Sequence, residues 1–143
     1  SMQVTSVKHK NIVLNLEVKE MSVKKILLIE DDLQFRNFVE EILKNEGYTV
    51  LLAEDGLQGS QMVKDNIPDL IVTDLLMPQK DGVRLITEIR ASHPEIPIIA
   101  MSGGSSFFSP AFLEAAATLG AAETLAKPFL GEQLLELVEK CFE

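Results

Sequence analysis

Short apolar runs alternate with amphipathic segments along most of this chain. The apolar runs predict β-strands over 26–29, 49–53, 70–73, 96–101 and 123–126. Their starts lie 21 to 27 residues apart, which leaves room for one helix and two short loops after each strand. Three of the runs are almost wholly apolar, which is typical of a parallel sheet covered on both faces.

The segments between the strands have helical spacing. They predict α-helices over 33–46, 57–66, 83–92, 110–119 and 130–142. In the first of these, Phe35, Val39 and Leu43 lie on one face, and Gly47 offers a C-terminal stop. The pattern therefore predicts an α/β fold with five βα units and a doubly wound parallel sheet. Right-handed crossovers would bring the carboxyl ends of all strands to one edge.

Residues 1–22 differ in character from the rest of the chain. We interpret them as an N-terminal extension, either loose or paired as an edge strand, and Ser1-Met2 as residues added for expression. The folded domain is then expected over 23–143, with no effector domain in this chain. The function of the extension cannot be read from its residues.

Composition narrows the class of protein. The chain has 143 residues, of which 46% are hydrophobic and 24% charged, so one folded domain with a substantial core is expected. The net charge of −9 argues against direct nucleic-acid binding. No apolar run approaches the roughly 18 residues of a membrane helix. The single cysteine, Cys141, excludes an internal disulfide and favours a reducing, cytoplasmic location.

Polar side chains follow four of the five predicted strands. Glu30 and Asp31 follow the first strand, Asp74 the third, Ser102 the fourth and Lys127 the fifth. A doubly wound sheet binds its ligand at this edge. Neighbouring carboxylates repel one another unless they are protonated or bridged by a cation. With oxygen ligands and no histidine or cysteine in the set, Mg²⁺ is the predicted ion.

These groups together predict a site for phosphoryl transfer. Asp74 can act as a carboxylate nucleophile and form an acyl phosphate. Lys127 and the cation would neutralise the phosphoryl oxygens during the transfer. The simpler interpretation is that Asp74 only caps a turn. It leaves the acidic pair after the first strand and Lys127 after the fifth unexplained.

The motifs occur in a family-specific order over residues 24–143. The chain resembles the receiver domain of two-component response regulators. The matching stretches are 26–32, Arg36, Asp55-Gly56, 70–78, Asp81-Gly82, 98–102 and Lys127-Pro128-Phe129. The resemblance implies a flavodoxin-like five-stranded sheet in the order 2-1-3-4-5.

The resemblance also implies a role for each site residue. Asp74 would be the phosphoacceptor, and Ser102 the hydroxyl that moves toward the phosphoryl group. Lys127 would pair with a phosphoryl oxygen, ahead of a cis bond to Pro128. The metal ligands would be Glu30, Asp31, Asp74 and the backbone carbonyl of Leu76.

The implied partner is a sensor histidine kinase or a histidine phosphotransfer protein, which donates the phosphoryl group from a phosphohistidine. The output would pass to an unknown downstream protein. Formation of a homodimer is left as an alternative. The domain is not expected to be an enzyme beyond slow Mg²⁺-dependent self-dephosphorylation. No membrane contact is expected.

The chain departs from the family pattern at several points. Thr124 stands where an aromatic switch residue is common. The usual coupling between movement of the switch hydroxyl and rotation of that aromatic ring therefore lacks its aromatic partner here. Leu76 is apolar where many relatives are polar. Phe107 and Phe108 follow a glycine- and serine-rich loop and could cover the site or form a contact patch.

Two alternatives remain beside the phosphorylated receiver. A receiver-like interaction module that is never phosphorylated is the main one, because the aromatic switch is missing. A phosphohydrolase of haloacid dehalogenase type is disfavoured, because Leu76 stands where that class needs an acid. A P-loop is absent from the first strand–helix connection.

Overall fold

The computed structural model describes residues 23–75, 82–103, 114, 117–118 and 120–143. The predicted strand within 1–22, most of the predicted helix over 110–119, and Leu76, Phe107 and Phe108 lie outside these residues. Glu114, Ala117 and Thr118 are helical. No helix in the described part of the chain has the length and hydrophobicity that crossing a bilayer requires.

Five parallel strands form one sheet in the order β2-β1-β3-β4-β5. The strands are β1 (Lys25–Ile29), β2 (Thr49–Ala53), β3 (Leu70–Asp74), β4 (Ile98–Ser102) and β5 (Glu123–Ala126). The predicted fold class and strand order are confirmed. The predicted start of the fourth strand at Ile96 is wrong by two residues, because Pro97 has no N–H for the ladder.

Four described helices cover the two faces of the sheet. They are α1 (Leu33–Asn45), α2 (Gly56–Asp65), α3 (Gly82–Ser92) and α4 (Gly131–Cys141). Asp32 caps α1 by accepting a hydrogen bond from the Phe35 N–H at 3.0 Å, and Gly47 beyond its end has φ +96°. Both signals can be recognised in the sequence, which explains why the predicted helix boundaries lie close to the observed ones.

The core consists of two layers, one on each face of the sheet. Leu27 and Ile29 of β1 pack with Val63 of α2 and with Leu85 and Ile89 of α3. Because strand side chains alternate, the neighbouring β1 residues pack on the opposite face with α1 and α4. The buried members of that second layer include Ile26, Leu28, Val39, Leu43, Leu134 and Val138. Burial of β1 on both faces holds its carboxyl end, and the acidic residues that follow it, inside the sheet between β2 and β3.

Candidate functional site

Backbone hydrogen bonds continue the ladder past the strand ends and align the polar residues there. The Glu30 N–H donates to the Ala53 carbonyl at 3.0 Å, and the Leu75 N–H donates to the Met101 carbonyl at 3.0 Å. The Lys127 N–H donates to the Ser102 carbonyl at 2.7 Å. The residues that follow β1, β3, β4 and β5 therefore meet at one edge, as predicted for parallel strands.

Three carboxylates lie together at this edge. Glu30, Asp31 and Asp74 each offer an oxygen, and these atoms lie within 4.8 Å of one another. Glu30 is fully buried and Asp74 is 6% exposed, whereas Asp31 is open to solvent. A set of three carboxylates, with one side open, can hold a hard divalent cation.

Lys127 provides positive charge for the two buried acids. Its ammonium lies 3.2 Å from Asp74 Oδ2 and also donates a short hydrogen bond to Glu30 Oε1. Burial and the nearby Asp74 carboxylate together raise the pKa of Glu30 to about 8, although Lys127 acts in the lowering direction. A negative charge on Glu30 is therefore costly here even beside Lys127, and a metal ion in the acidic cluster would offset that cost.

Two buried polar atoms at this edge have no hydrogen-bond partner among the described residues. They are Glu30 Oε2 and Ser102 Oγ. Buried polar atoms are rarely left unpaired, and a bound ion or ligand is one of the standard reasons. The free oxygen of Glu30 suits a cation in the acidic cluster, and the Ser102 hydroxyl is available to a new acceptor.

The structure thus brings Glu30, Asp31, Asp74 and Lys127 into one constellation and places Ser102 at the adjoining end of β4. The remaining predicted ligand, the Leu76 carbonyl, lies outside the described residues. The Lys127-Pro128 bond is cis, as expected. Thr124 lies half-buried on β5, paired with Ala100.

Several supporting residues were not predicted as part of the site. Arg36 is 8% exposed and donates from Nη1 to the Glu30 carbonyl at 2.8 Å. The Lys127 ammonium lies 4.2 Å from the centroid of the Phe35 ring. A Cβ on Gly103 would come within 2.9 Å of the Lys127 Cβ. Of these residues, the sequence singled out Arg36 as a family match but gave it no role, and an arginine among the apolar positions of an amphipathic helix was the available signal of one.

Comparison with known proteins identifies this architecture. A model of the response regulator receiver domain matches residues 26–139. The chain therefore belongs to the receiver-domain family, a family of signalling domains.

Two curated relatives illustrate the similarity. The transcriptional regulatory protein CpxR of Klebsiella pneumoniae is 35% identical over 113 residues, which are 79% of this chain and 47% of CpxR. The response regulator MprA of Mycobacterium ulcerans is 35% identical over 115 residues, 80% of this chain and 48% of MprA. The chain thus spans about half the length of the curated relatives it matches.

Solved structures show the same fold. The receiver domain of NtrX from Brucella abortus has a TM-score of 0.75 at 29% identity, covering 81% of this chain and 96% of that domain. A CheY-like receiver domain protein from Methanospirillum hungatei has a TM-score of 0.77 at 25% identity, covering 83% and 93%. In both comparisons nearly the whole of a receiver domain is matched.

Proposed function

We propose that this domain is a phosphorylation-controlled signalling receiver in which Asp74 accepts a phosphoryl group from a phosphohistidine on a partner protein. The observation that carries the proposal is the contact of the Lys127 ammonium with Asp74 inside a cluster of three carboxylates. Membership of the receiver-domain family supports it. The donor would be a sensor histidine kinase or a histidine phosphotransfer protein.

The transfer follows from the charges at the site. A carboxylate oxygen of Asp74 attacks phosphorus, the phosphorus–nitrogen bond of the donor breaks, and the leaving imidazole takes up a proton from solvent. Lys127 already lies 3.2 Å from Asp74 Oδ2, so it can shift onto a phosphoryl oxygen over a short distance. Its contact with Glu30 keeps the ammonium at the site while it does so.

Magnesium fits the donor atoms that the chain presents. Glu30, Asp31 and Asp74 would hold it, together with the Leu76 carbonyl, and the unpaired Glu30 Oε2 supports this assignment. When bound, Mg²⁺ supplies positive charge that offsets the carboxylates and the incoming phosphoryl oxygens.

The signal would leave the site through Ser102 and the end of β4. Phosphorylation adds negative charge and strong acceptors, and the Ser102 hydroxyl is buried without a partner among the described residues. Movement of this hydroxyl toward the phosphoryl group would change the protein-contact surface around β4 and β5. Slow hydrolysis of the acyl phosphate would reset the domain.

A direct test is incubation with phosphoramidate, a small donor with a phosphorus–nitrogen bond, in the presence of Mg²⁺. Intact-mass measurement should show one added phosphoryl group, which hydroxylamine removes because it cleaves acyl phosphates. Asp74→Ala should show no gain, whereas Asp65→Asn, which changes an acid at the end of α2, should behave as the wild type. An equal gain in Asp74→Ala would refute the assignment. No gain in the wild type would favour the interaction module that is never phosphorylated.

A further inference from the structure

The Lys127 side chain supplies the positive charge of the site, and two acidic partners alone do not fix where its ammonium lies. A lysine has a flexible four-carbon stem and three rotatable donors. Its ammonium here binds Glu30 and Asp74, both of which also face the acidic cluster. Once those acids hold a cation, their attraction for the ammonium falls, and another contact must keep the lysine in place.

An aromatic ring provides such a contact. The Lys127 Nζ lies 4.2 Å from the centroid of Phe35, well within the roughly 6 Å range of a cation–π interaction. The ring face attracts the ammonium without accepting one of its conventional hydrogen bonds. Donors of Lys127 therefore remain available for a phosphoryl oxygen.

The ring of Phe35 is itself held by its neighbours. It meets Phe129 edge-on, with centroids 5.4 Å apart and an interplanar angle of 85°, and it meets Phe38 at 5.7 Å. Its backbone is fixed by the Asp32 cap at the first turn of α1. Phe129 lies two residues after Lys127, so the same cluster ties the lysine's own loop to α1.

The stem of Lys127 is also confined at Gly103. A Cβ at that position would lie 2.5 Å from the Lys127 Cδ and 2.9 Å from its Cβ, closer than real Cβ atoms approach other groups. The glycine thus leaves the space through which the stem reaches the acids.

We propose that Phe35 is a positioning residue, whose ring face holds the Lys127 ammonium at Asp74 and keeps its donors available for the phosphoryl group. The kinetic part of this inference rests on the proposed function. Removing the ring face without removing its volume should therefore slow phosphorylation of Asp74 while leaving the metal ligands intact.

Progressive fluorination of Phe35 is the sharpest test. Replacing Phe35 by mono-, di- and trifluorophenylalanine weakens the negative ring face in steps at nearly constant shape. The rate of phosphorylation by phosphoramidate should fall with each step, by roughly three- to tenfold over the series, given the strength of partly buried cation–π contacts. Mg²⁺ affinity should stay unchanged. The same series at Phe142, whose ring has the ammonium of Lys24 at 5.7 Å from its centroid away from this site, should leave the rate unaltered.

A second readout does not depend on phosphorylation. Lysine labelled with ¹³C at the ε-carbon reports ring currents by NMR, with the Lys127 signal assigned through Lys127→Met. That signal should be shifted upfield in the wild type and in Phe142→Leu, and the shift should disappear in Phe35→Leu.

The two readouts separate the possible failures. A wild type that gains no phosphoryl mass refutes the proposed function, and the NMR shift then decides the role of Phe35 alone. An unshifted Lys127 signal in the wild type overturns the inference. So does a phosphorylation rate that fails to fall in the Phe35 series, or that falls equally in the Phe142 series.

Discussion

The Lys127 ammonium lies 3.2 Å from Oδ2 of Asp74, although the two residues are 53 positions apart in the chain. The contact joins the ends of β3 and β5, which are separated in the sheet by β4. The lysine therefore reaches across a strand to its partner, and its position depends on the residues that line this path.

Replacing Lys127 by Met should affect both stability and chemistry. The change leaves the fully buried Glu30 without its ammonium partner, so the free energy of unfolding at pH 7 should fall by about 1–3 kcal/mol in urea denaturation. Phosphorylation should slow by about a hundredfold, because a charge that stabilises the phosphoryl oxygens is lost. Lys140→Met is the control, since Lys140 pairs with Glu123 at the surface, and its effect on the free energy of unfolding should be much smaller than that of Lys127→Met. Equal destabilisation by both variants would contradict the assignment.

Magnesium should stabilise the folded protein. At a free concentration a hundredfold above its dissociation constant, one bound ion adds about 2.7 kcal/mol to the free energy of unfolding. Thermal unfolding with and without Mg²⁺ measures this. Asp31→Asn should lose most of the stabilisation, because it removes a ligand charge from the cluster. Asp32→Asn removes the same charge one residue later but keeps the α1 cap, since Asn caps as well as Asp. It should retain the full response, and a matching loss in both variants would place the ion elsewhere.

Removing two buried hydroxyls at this edge, one at a time, should affect the free energy of unfolding in different ways. Ser102 Oγ has no partner among the described residues, so Ser102→Ala should leave the free energy of unfolding unchanged or raise it by up to about 1 kcal/mol. Thr73 Oγ1 donates to the Asp74 carbonyl at 3.0 Å, so Thr73→Val should cost about 1 kcal/mol. Urea denaturation of both variants checks this. A larger loss in Ser102→Ala than in Thr73→Val would show that the serine hydroxyl is already used before phosphorylation.

Arg36 should matter through its hydrogen bond to the Glu30 backbone rather than through its ion pair. Arg36→Met leaves a buried carbonyl at the carboxyl end of β1 without this donor and should cost about 1–3 kcal/mol of unfolding free energy. Glu54, whose carboxylate is 3.9 Å from the guanidinium and 72% exposed, should contribute little. Glu54→Gln is therefore expected to change stability by less than about 0.5 kcal/mol. The reverse order of the two effects would contradict this account.

Gly82 should be intolerant of a side chain for a reason specific to the phosphoacceptor strand. A Cβ there would collide with the backbone of Asp74 and Leu75, which cannot move without displacing the end of β3. Gly82→Ala should cost about 1–3 kcal/mol, as other overpacking changes do. Gly131→Ala is the matched control at the start of α4, where the Cβ would meet only the Ile42 side chain, at 3.2 Å. If denaturant unfolding shows the same loss of stability in both variants, the end of β3 can shift to accommodate the added Cβ.

Much of the fold and of the candidate site follows from residues that are neighbours in sequence. The apolar run ahead of Asp74 specifies a buried strand, and the carboxyl ends of parallel strands must share an edge. Glu30, Asp31, Asp74 and Lys127 could therefore be grouped without coordinates. The start of β4 was misjudged because the apolar pattern continues through Pro97, whereas the ladder requires an N–H.

Contacts between side chains on different elements could not be predicted in this way. That Phe35 lies over Lys127 depends on how α1 is rotated against the sheet and on the path of the loop after β5. The full burial of Glu30 and the close approach of Gly103 to the Lys127 stem depend on the same packing. The chain by itself determined which groups reach the edge of the sheet, because the residue that ends each strand and the alternation of side chains along it are local properties. Only the tertiary structure decided which of those groups touch, because packing between elements sets distances that no spacing in the sequence encodes.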